Sequence, residues 1–184
     1  MPFRAFIAAD VEATPRLMDL KRSLGESGAQ LKFVDLENIH LTLKFLGDTD
    51  ESLVEKIVEI MKASVEGVEP FTMELKGTGV FPNPNYMKVL WVGLENAGPL
   101  VTMAKKIDNE VTKLGFKREK KTIHPHITVA RVKGPRKKNQ VQQILRDFQN
   151  ENFGSQYVDA IRLKKSVLSR EGPTYTTIEE VKFG

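Results

Sequence analysis

The stretch His40-Leu41-Thr42-Leu43-Lys44-Phe45-Leu46-Gly47 alternates polar and apolar side chains, and His126-Ile127-Thr128-Val129-Ala130-Arg131-Val132 does so again, 86 residues later (126 − 40). Period-two alternation marks a strand with one face in a core and the other open. Strict alternation puts Leu41, Leu43 and Phe45 on the buried side and His40, Thr42 and Lys44 on the open one. Residues i and i+2 of a strand share a face about 7 Å apart, so each stretch sets an imidazole beside a hydroxyl while its apolar neighbours anchor the other side.

The same order of elements surrounds both strands. Residues 3–9 read as a buried strand, and Thr14 followed by Pro15 supplies a cap and a first-turn proline for a helix reaching about Ser27. After the first histidine strand, which Gly47-Asp48 should end, Asp50 can cap a helix carrying Leu53, Ile57, Ile60 and Met61, and residues 71–75 form a strand. The order then returns as a strand at 89–94, a helix from Pro99 to Gly115, the second histidine strand, a helix at 138–149 and a strand at 157–164. The fold class expected is α+β and bilobal: two pseudo-twofold-related, mainly antiparallel sheets flanked by helices, with a central cleft. Residues 1–184 make one two-lobed domain on this reading, with a repeat over about 1–86 and 87–172 and a C-terminal strand within 173–184. Pro82-Asn83-Pro84-Asn85, the clearest turn-rich stretch, is expected to mark the crossing between lobes.

Composition narrows the chemistry. The 184 residues are 40% hydrophobic and 28% charged, enough to bury a core without staples, and cysteine is absent. Disulfides, thiolate zinc sites and a cysteine nucleophile are thereby excluded, and the lack of thiols points to the cytoplasm. The opening apolar stretch is too short for a signal peptide and nothing later is long enough to span a membrane, so no membrane association is expected. Net charge is +4, and basic clusters at 117–121 and 133–138 flank the second histidine strand, the sign wanted for a polyanionic partner.

Only three histidines occur, and two of them, His40 and His126, carry the threonines Thr42 and Thr128 two positions on. If the two strands come together, two imidazoles and two hydroxyls converge on a volume suited to a tetrahedral phosphate. Phosphoryl transfer needs the attacking and leaving oxygens in line on opposite sides of phosphorus, so a base and an acid must also stand on opposite sides. With three histidines, no cysteine and no carboxylate at ligand spacing, no metal site and no cofactor are expected. His124, held by Pro125, reads as a residue that shapes the approach to His126. Arg131 could neutralise phosphate, although alternation turns it from the His126 face; Lys44 shares the His40 face and could touch phosphate; Phe45 and Tyr175 could stack on a base, although alternation puts Phe45 in the core. Trp91 reads as core. Neither a Lys-x-Asp-Gly nucleotidyl-transfer setting nor a Gly-rich phosphate loop is present.

The doubled His-x-Thr pattern, His-Leu-Thr-Leu-Lys-Phe-Leu-Gly at 40–47, His-Pro-His-Ile-Thr-Val-Ala-Arg at 124–131, Arg-Ala-Phe-Ile-Ala at 4–8 and Gly-Pro-Thr-Tyr at 172–175 together resemble the LigT-like 2′-5′ RNA ligase and RNA 2′,3′-cyclic phosphodiesterase family of two-histidine phosphoesterases. That resemblance implies hydrolysis of RNA 2′,3′-cyclic phosphate ends to 2′-phosphates and a reversible 2′-5′ joining of tRNA halves. His126 would then be the proton acceptor and His40 the proton donor, with Thr42 and Thr128 on the non-bridging oxygens and Arg131, Lys44, Phe45 and Tyr175 on the rest of the substrate. The two histidine roles can be exchanged by the pseudo-symmetry. The partner implied is RNA with a cyclic phosphate end, and no protein partner is expected. Two other readings stay open: a related two-histidine enzyme acting on another cyclic nucleotide or oligonucleotide, and a non-catalytic RNA-binding protein.

Overall fold

Apolar residues at alternate positions in the strands and at three- and four-residue spacing in the helices have to meet in one interior, and the computed structural model, which describes residues 2–121 and 123–184, shows how they do so. In chain order the elements are β1 (Phe3–Asp10), α1 (Pro15–Glu26), β2 (Leu31–Phe33), β3 (His40–Thr49), α2 (Val54–Val65), β4 (Phe71–Asn83), β5 (Tyr86–Glu95), α3 (Gly98–Thr112), β6 (His126–Val132), α4 (Lys138–Asp147), β7 (Asn152–Val158), β8 (Ala160–Ser169) and β9 (Gly172–Lys182). One sheet has the order β3-β1-β8-β9 and the other β2-β6-β5-β4-β7, with every pairing antiparallel. Helices α2 and α3 pack on the first sheet and α1 and α4 on the second. The expected α+β class with two flanked antiparallel sheets is what the chain adopts.

Local chemistry sets the helix starts. Thr14 Oγ1 accepts from the Leu17 amide at 3.2 Å and donates to the Phe153 carbonyl at 2.6 Å, so one hydroxyl both caps α1 and ties it to β7. Asp50 caps the short 3₁₀ turn (Glu51–Leu53) before α2 by accepting from the Ser52 amide at 2.9 Å.

Three expectations about the chain path are corrected. Residues 157–164 are not one strand: Asp159 separates β7 of the second sheet from β8 of the first. The change of sheet is invisible to burial periodicity because Val158, Ile161 and Leu163 enter the same core. The stretch Pro82-Asn83-Pro84-Asn85 is not a crossing but the tip of the β4–β5 hairpin, both strands of which lie in the second sheet. The chain changes sheet on either side of β2, after α2 and at Asp159 instead. Gly47 does not end β3, which continues to Thr49 through a register shift with Gly47 at φ 69°. The last strand, β9, joins the first sheet against β8.

The sheets meet where β3 and β6 come into contact. Leu41, Leu43, Ile127 and Val129 are buried in one continuous core, which turns the remaining faces of both strands toward a common space. A buried ion pair braces the arrangement. The Lys44 side chain is 1% exposed, and its Nζ lies 2.6 Å from Asp108 Oδ1 of α3 and donates to the Lys117 carbonyl at 2.6 Å. Asp108 also accepts from the Glu119 amide at 3.1 Å. Burial alone would raise the Asp108 carboxyl, but Lys44, the Glu119 amide and Arg118 outweigh it and hold it below the ordinary carboxylate range. Removing one partner of such a pair strands the other in the interior. Asp108→Asn should therefore destabilise the protein by roughly 3 kcal/mol, which at this size is a fall in melting temperature on the order of 10 °C. Lys44→Met, which leaves Asp108 its amide and Arg118, should cost less; calorimetry finding both variants within a degree or two of wild type would refute the brace.

Candidate active site

Both histidines line one cleft of about 1040 Å³ between the sheets, together with Thr42, Thr128, Phe45, Arg131 and Tyr175. Each ring is fixed in the same way. His40 Nδ1 lies 2.7 Å from the Asn38 carbonyl and His126 Nδ1 lies 2.6 Å from the His124 carbonyl, in each case the residue two positions earlier. A carbonyl can only accept, so Nδ1 carries the proton in both rings and Nε2 is left as the free nitrogen. Asn38 was not singled out in the sequence, yet the 86-residue shift that carries His40 onto His126 carries Asn38 onto His124.

Burial of the rings pushes both imidazoles below their ordinary pKa of 6.5. At His40 the Lys164 and His126 charges add to that effect while the Asn38 carbonyl and Asp10 oppose it. At His126 the His124 carbonyl opposes it and the His124 charge adds to it. The two rings are thus neutral at pH 7 in the free protein. Aromatic rings wall them in: Phe6 and Tyr175 stand 5.0 and 5.5 Å from His40, and Phe81 stands 5.0 Å edge-on from His126.

The structure moves three residues relative to strict alternation, for one reason. On β3, Ala8 pairs with Thr42 and Ile7 with Lys44, so Leu43 is an extra, bulged residue. On β6, Trp91 pairs with Thr128 and Leu90 with Ala130, so Val129 is bulged at the equivalent place. One inserted residue exchanges the faces of all later positions on the strand. Lys44 therefore goes into the core and does not share the His40 face, while Phe45, opposite Phe6, is 67% exposed on the cleft and not in the core. Arg131 is delivered to the cleft rather than turned from it, and its charge reaches Tyr175, opposing the upward push of burial on that hydroxyl.

Trp91 is likewise not core. Its Cα pairs with Thr128, and its ring lies 4.9 Å from His124 and 6.0 Å from His126. Of the basic clusters, Arg118, Lys120 and Lys121 from one and Lys133 from the other line the cleft, joined by Arg4 and Lys32. Among the described residues no group of three or more His, Asp or Glu is placed to hold a metal ion. A site with two free imidazole nitrogens, two hydroxyls and a cationic rim can bind an anion and move two protons around it.

Comparison with known proteins gives consistent results. The model of the AKAP7 2′5′ RNA ligase-like domain matches residues 13–183. The RNA 2′,3′-cyclic phosphodiesterase of Methanothermobacter thermautotrophicus is 39% identical over 181 residues, covering 97% of this chain and 98% of that protein. The protein of the same name from Aeropyrum pernix is 40% identical over 168 residues, covering 91% and 94%. Among solved structures, TT0787 of Thermus thermophilus superposes with a TM-score of 0.79 at 26% identity, covering 98% of this chain and 97% of that one. E. coli LigT complexed with 3′-AMP has the same fold, with a TM-score of 0.73 at 21% identity and coverage of 100% and 99%.

The aromatic wall beside His124 and His126 depends on one glycine. A Cβ on Gly79 would lie 2.1 Å from the Trp91 ring, so Gly79→Ala has to displace the indole. Overpacking of this kind costs about 1–3 kcal/mol. Because Trp91 is the single tryptophan, its intrinsic fluorescence should shift in Gly79→Ala while the melting temperature drops; an unchanged spectrum would mean that the wall is not packed as described.

Proposed function

The chain belongs to the AKAP7 2′5′ RNA ligase-like domain family, and from that membership we propose that it hydrolyses the 2′,3′-cyclic phosphodiester at the end of an RNA strand to a 2′-phosphomonoester, using His40 and His126 as a general acid–base pair. The observation that carries the chemistry is the matched pair of rings in one cleft, each with Nδ1–H committed to a backbone carbonyl and Nε2 free. His126 Nε2 takes a proton from water as the water oxygen bonds to phosphorus. The P–O3′ bond breaks opposite the attack, and His40 Nε2–H gives its proton to the departing 3′ oxygen. Thr42 and Thr128 hydroxyls donate to the non-bridging oxygens, where charge builds up.

His40 must be protonated for this, and burial works against it in the free protein. The phosphodiester anion supplies the counter-charge: its binding raises both imidazoles, and a proton taken up at His40 is further supported by the Asn38 carbonyl, while Lys164 offsets the help of its partner Asp10. Phe45 and Tyr175 offer ring faces to the terminal base, and Arg131 offers its guanidinium to phosphate. If the 5′-hydroxyl of a second RNA strand replaces water, the same steps yield a 2′-5′ linkage, so joining of tRNA halves falls within the chemistry. The absence of cysteine and of any helix among the described residues long and apolar enough to cross a membrane supports work in the cytoplasm.

Since one ring must be neutral and the other charged, the profile of kcat/KM against pH should be bell-shaped, with its alkaline limb governed by an apparent pKa below 6.5. The kcat profile should lie at higher pH, because bound anion favours the protonated form. His40→Ala and His126→Ala should each lose roughly 10²- to 10⁴-fold in turnover of an oligoribonucleotide ending in 2′,3′-cyclic phosphate while still binding it. Chelator should change nothing. A pH-independent chemical step, or activity abolished by chelation, would refute the two-histidine mechanism.

A further inference from the structure

Beyond Arg131 the cleft runs into a second hollow of about 590 Å³ where β5, β6 and the start of α4 meet, and Arg131 and Lys133 line both. Among the described residues five cationic side chains, Lys88, Arg131, Lys133, Arg136 and Lys138, line this second hollow and no carboxylate does. Like charges held together without counter-charges repel one another, a cost that a bound polyanion relieves. Tyr86 stands at its edge, 59% exposed, with the Lys88 ammonium 5.2 Å from its ring centroid.

The turn carrying Tyr86 is fixed. Asn83 Oδ1 accepts from the Asn85 and Tyr86 amides at 2.9 Å each, Gln142 Nε2 donates to the Pro84 carbonyl at 2.6 Å, and Lys138 Nζ donates to the Asn85 carbonyl. An exposed ring on a pinned turn, with Lys88 over one face, loses little freedom when a planar group stacks on the other. None of this serves the reacting phosphate. On β5, Gly93 pairs with His126 and Tyr86 lies seven residues earlier (93 − 86), a separation of roughly 23 Å along the strand at about 3.3 Å per residue.

We propose that this second hollow is the track for the RNA strand upstream of the cyclic phosphate. Lys133, Arg136 and Lys88 take the backbone phosphates of the preceding nucleotides, and a base stacks on Tyr86. The inference rests on the RNA reading of the cleft and names the substrate class within it: an oligoribonucleotide with an unpaired 3′ end, not a free mononucleotide. Cations interleaved with an open aromatic face suit single-stranded RNA, whereas an acidic peptide would use the charge and leave the ring idle.

The test uses the full chain as wild type and as the triple variant Tyr86→Ala, Lys88→Ala, Arg136→Ala, three exposed positions outside the lining of the histidine cleft. Unlabelled 3′-phosphorylated oligoribonucleotides of one to six nucleotides compete against a labelled hexamer at two salt concentrations, and hydrolysis of a mononucleoside 2′,3′-cyclic phosphate is followed in parallel. Wild-type affinity should rise at least tenfold from one to six nucleotides. The variant should lose most of that rise, its slope of log affinity against log salt should shrink by about 1.4 for two lost phosphate contacts, and its mononucleoside hydrolysis should stay within twofold of wild type. Affinity independent of length, a length gain kept in the variant, or an oligoglutamate competing as well as the RNA hexamer overturns the track. Length-dependent binding lost in the variant, with no hydrolysis by wild type, supports the track and strikes the phosphodiesterase reading instead.

Discussion

A strand with a core on one side and a cleft on the other must commit every residue to one of them, and in β3 and β6 a single inserted residue makes that commitment. Leu43 and Val129 stand unpaired opposite β1 and β5, so two consecutive residues on each strand enter the core before the cleft face resumes. Without the bulge the cleft would hold Lys44 and Ala130 in place of Phe45 and Arg131. The bulges fall just beyond Thr42 and Thr128, so the His-x-Thr pairs keep regular strand geometry and only the residues after the bulge are re-aimed. The bulge in β3 also sends the Lys44 ammonium inward to Asp108, which fixes α3 and the basic segment after Lys117 beside the same cleft.

The electrostatics result from that geometry. Two imidazoles a short way inside the protein are pushed toward the neutral form by burial, with Lys164 adding to the effect at His40 and His124 at His126 while the backbone carbonyls oppose it. Their Nδ1 protons stay committed to carbonyls, so the tautomer is set before any ligand arrives. The cationic rim favours an anion, and in the proposed mechanism the anion reverses the preference of the rings. In the proposed mechanism binding and protonation are therefore linked: the phosphate brings with it the field that makes an acid of a neutral base.

How much of this could be read from residues alone depends on what each feature writes into the sequence. The helix starts were legible because Thr14-Pro15 and Asp50 are local signals with local partners. So was the placement of His40, Thr42, His126 and Thr128 on one cleft, because period two ahead of a bulge is undisturbed and the 86-residue spacing carries one strand onto the other. Phe45, Lys44 and Arg131 were not placed, because a bulge adds a residue that looks like any other buried aliphatic. Placing Lys44 on the His40 face was the natural error: its partners Asp108 and Lys117 lie 64 and 73 positions away and leave no local trace. The switch of sheet at Asp159 and the three-residue β2 escaped for related reasons, since one joins two strands that bury into the same core and the other is too short to show a period.

Near-symmetry raises a problem that the differences between the lobes resolve. Two equivalent imidazole–hydroxyl pairs alone would accept a cyclic phosphate in either of two orientations, with acid and base exchanged and one orientation unproductive. The surroundings are unequal in every respect that matters to orientation. Position 45 offers a flat apolar ring while the equivalent position 131 offers a cation, which on the proposed reading draws base and phosphate to opposite sides. His40 faces Tyr175 and the Asp10–Lys164 pair, with Nζ and Oδ1 2.5 Å apart, whereas His126 faces Trp91, Phe81 and a second imidazole. The hollow beyond Arg131 lies on the β6 side, and as the proposed track it gives an RNA strand entering the cleft one preferred direction of approach. In the proposed mechanism symmetry supplies the two proton carriers, and the departures from it decide which of them meets the leaving oxygen.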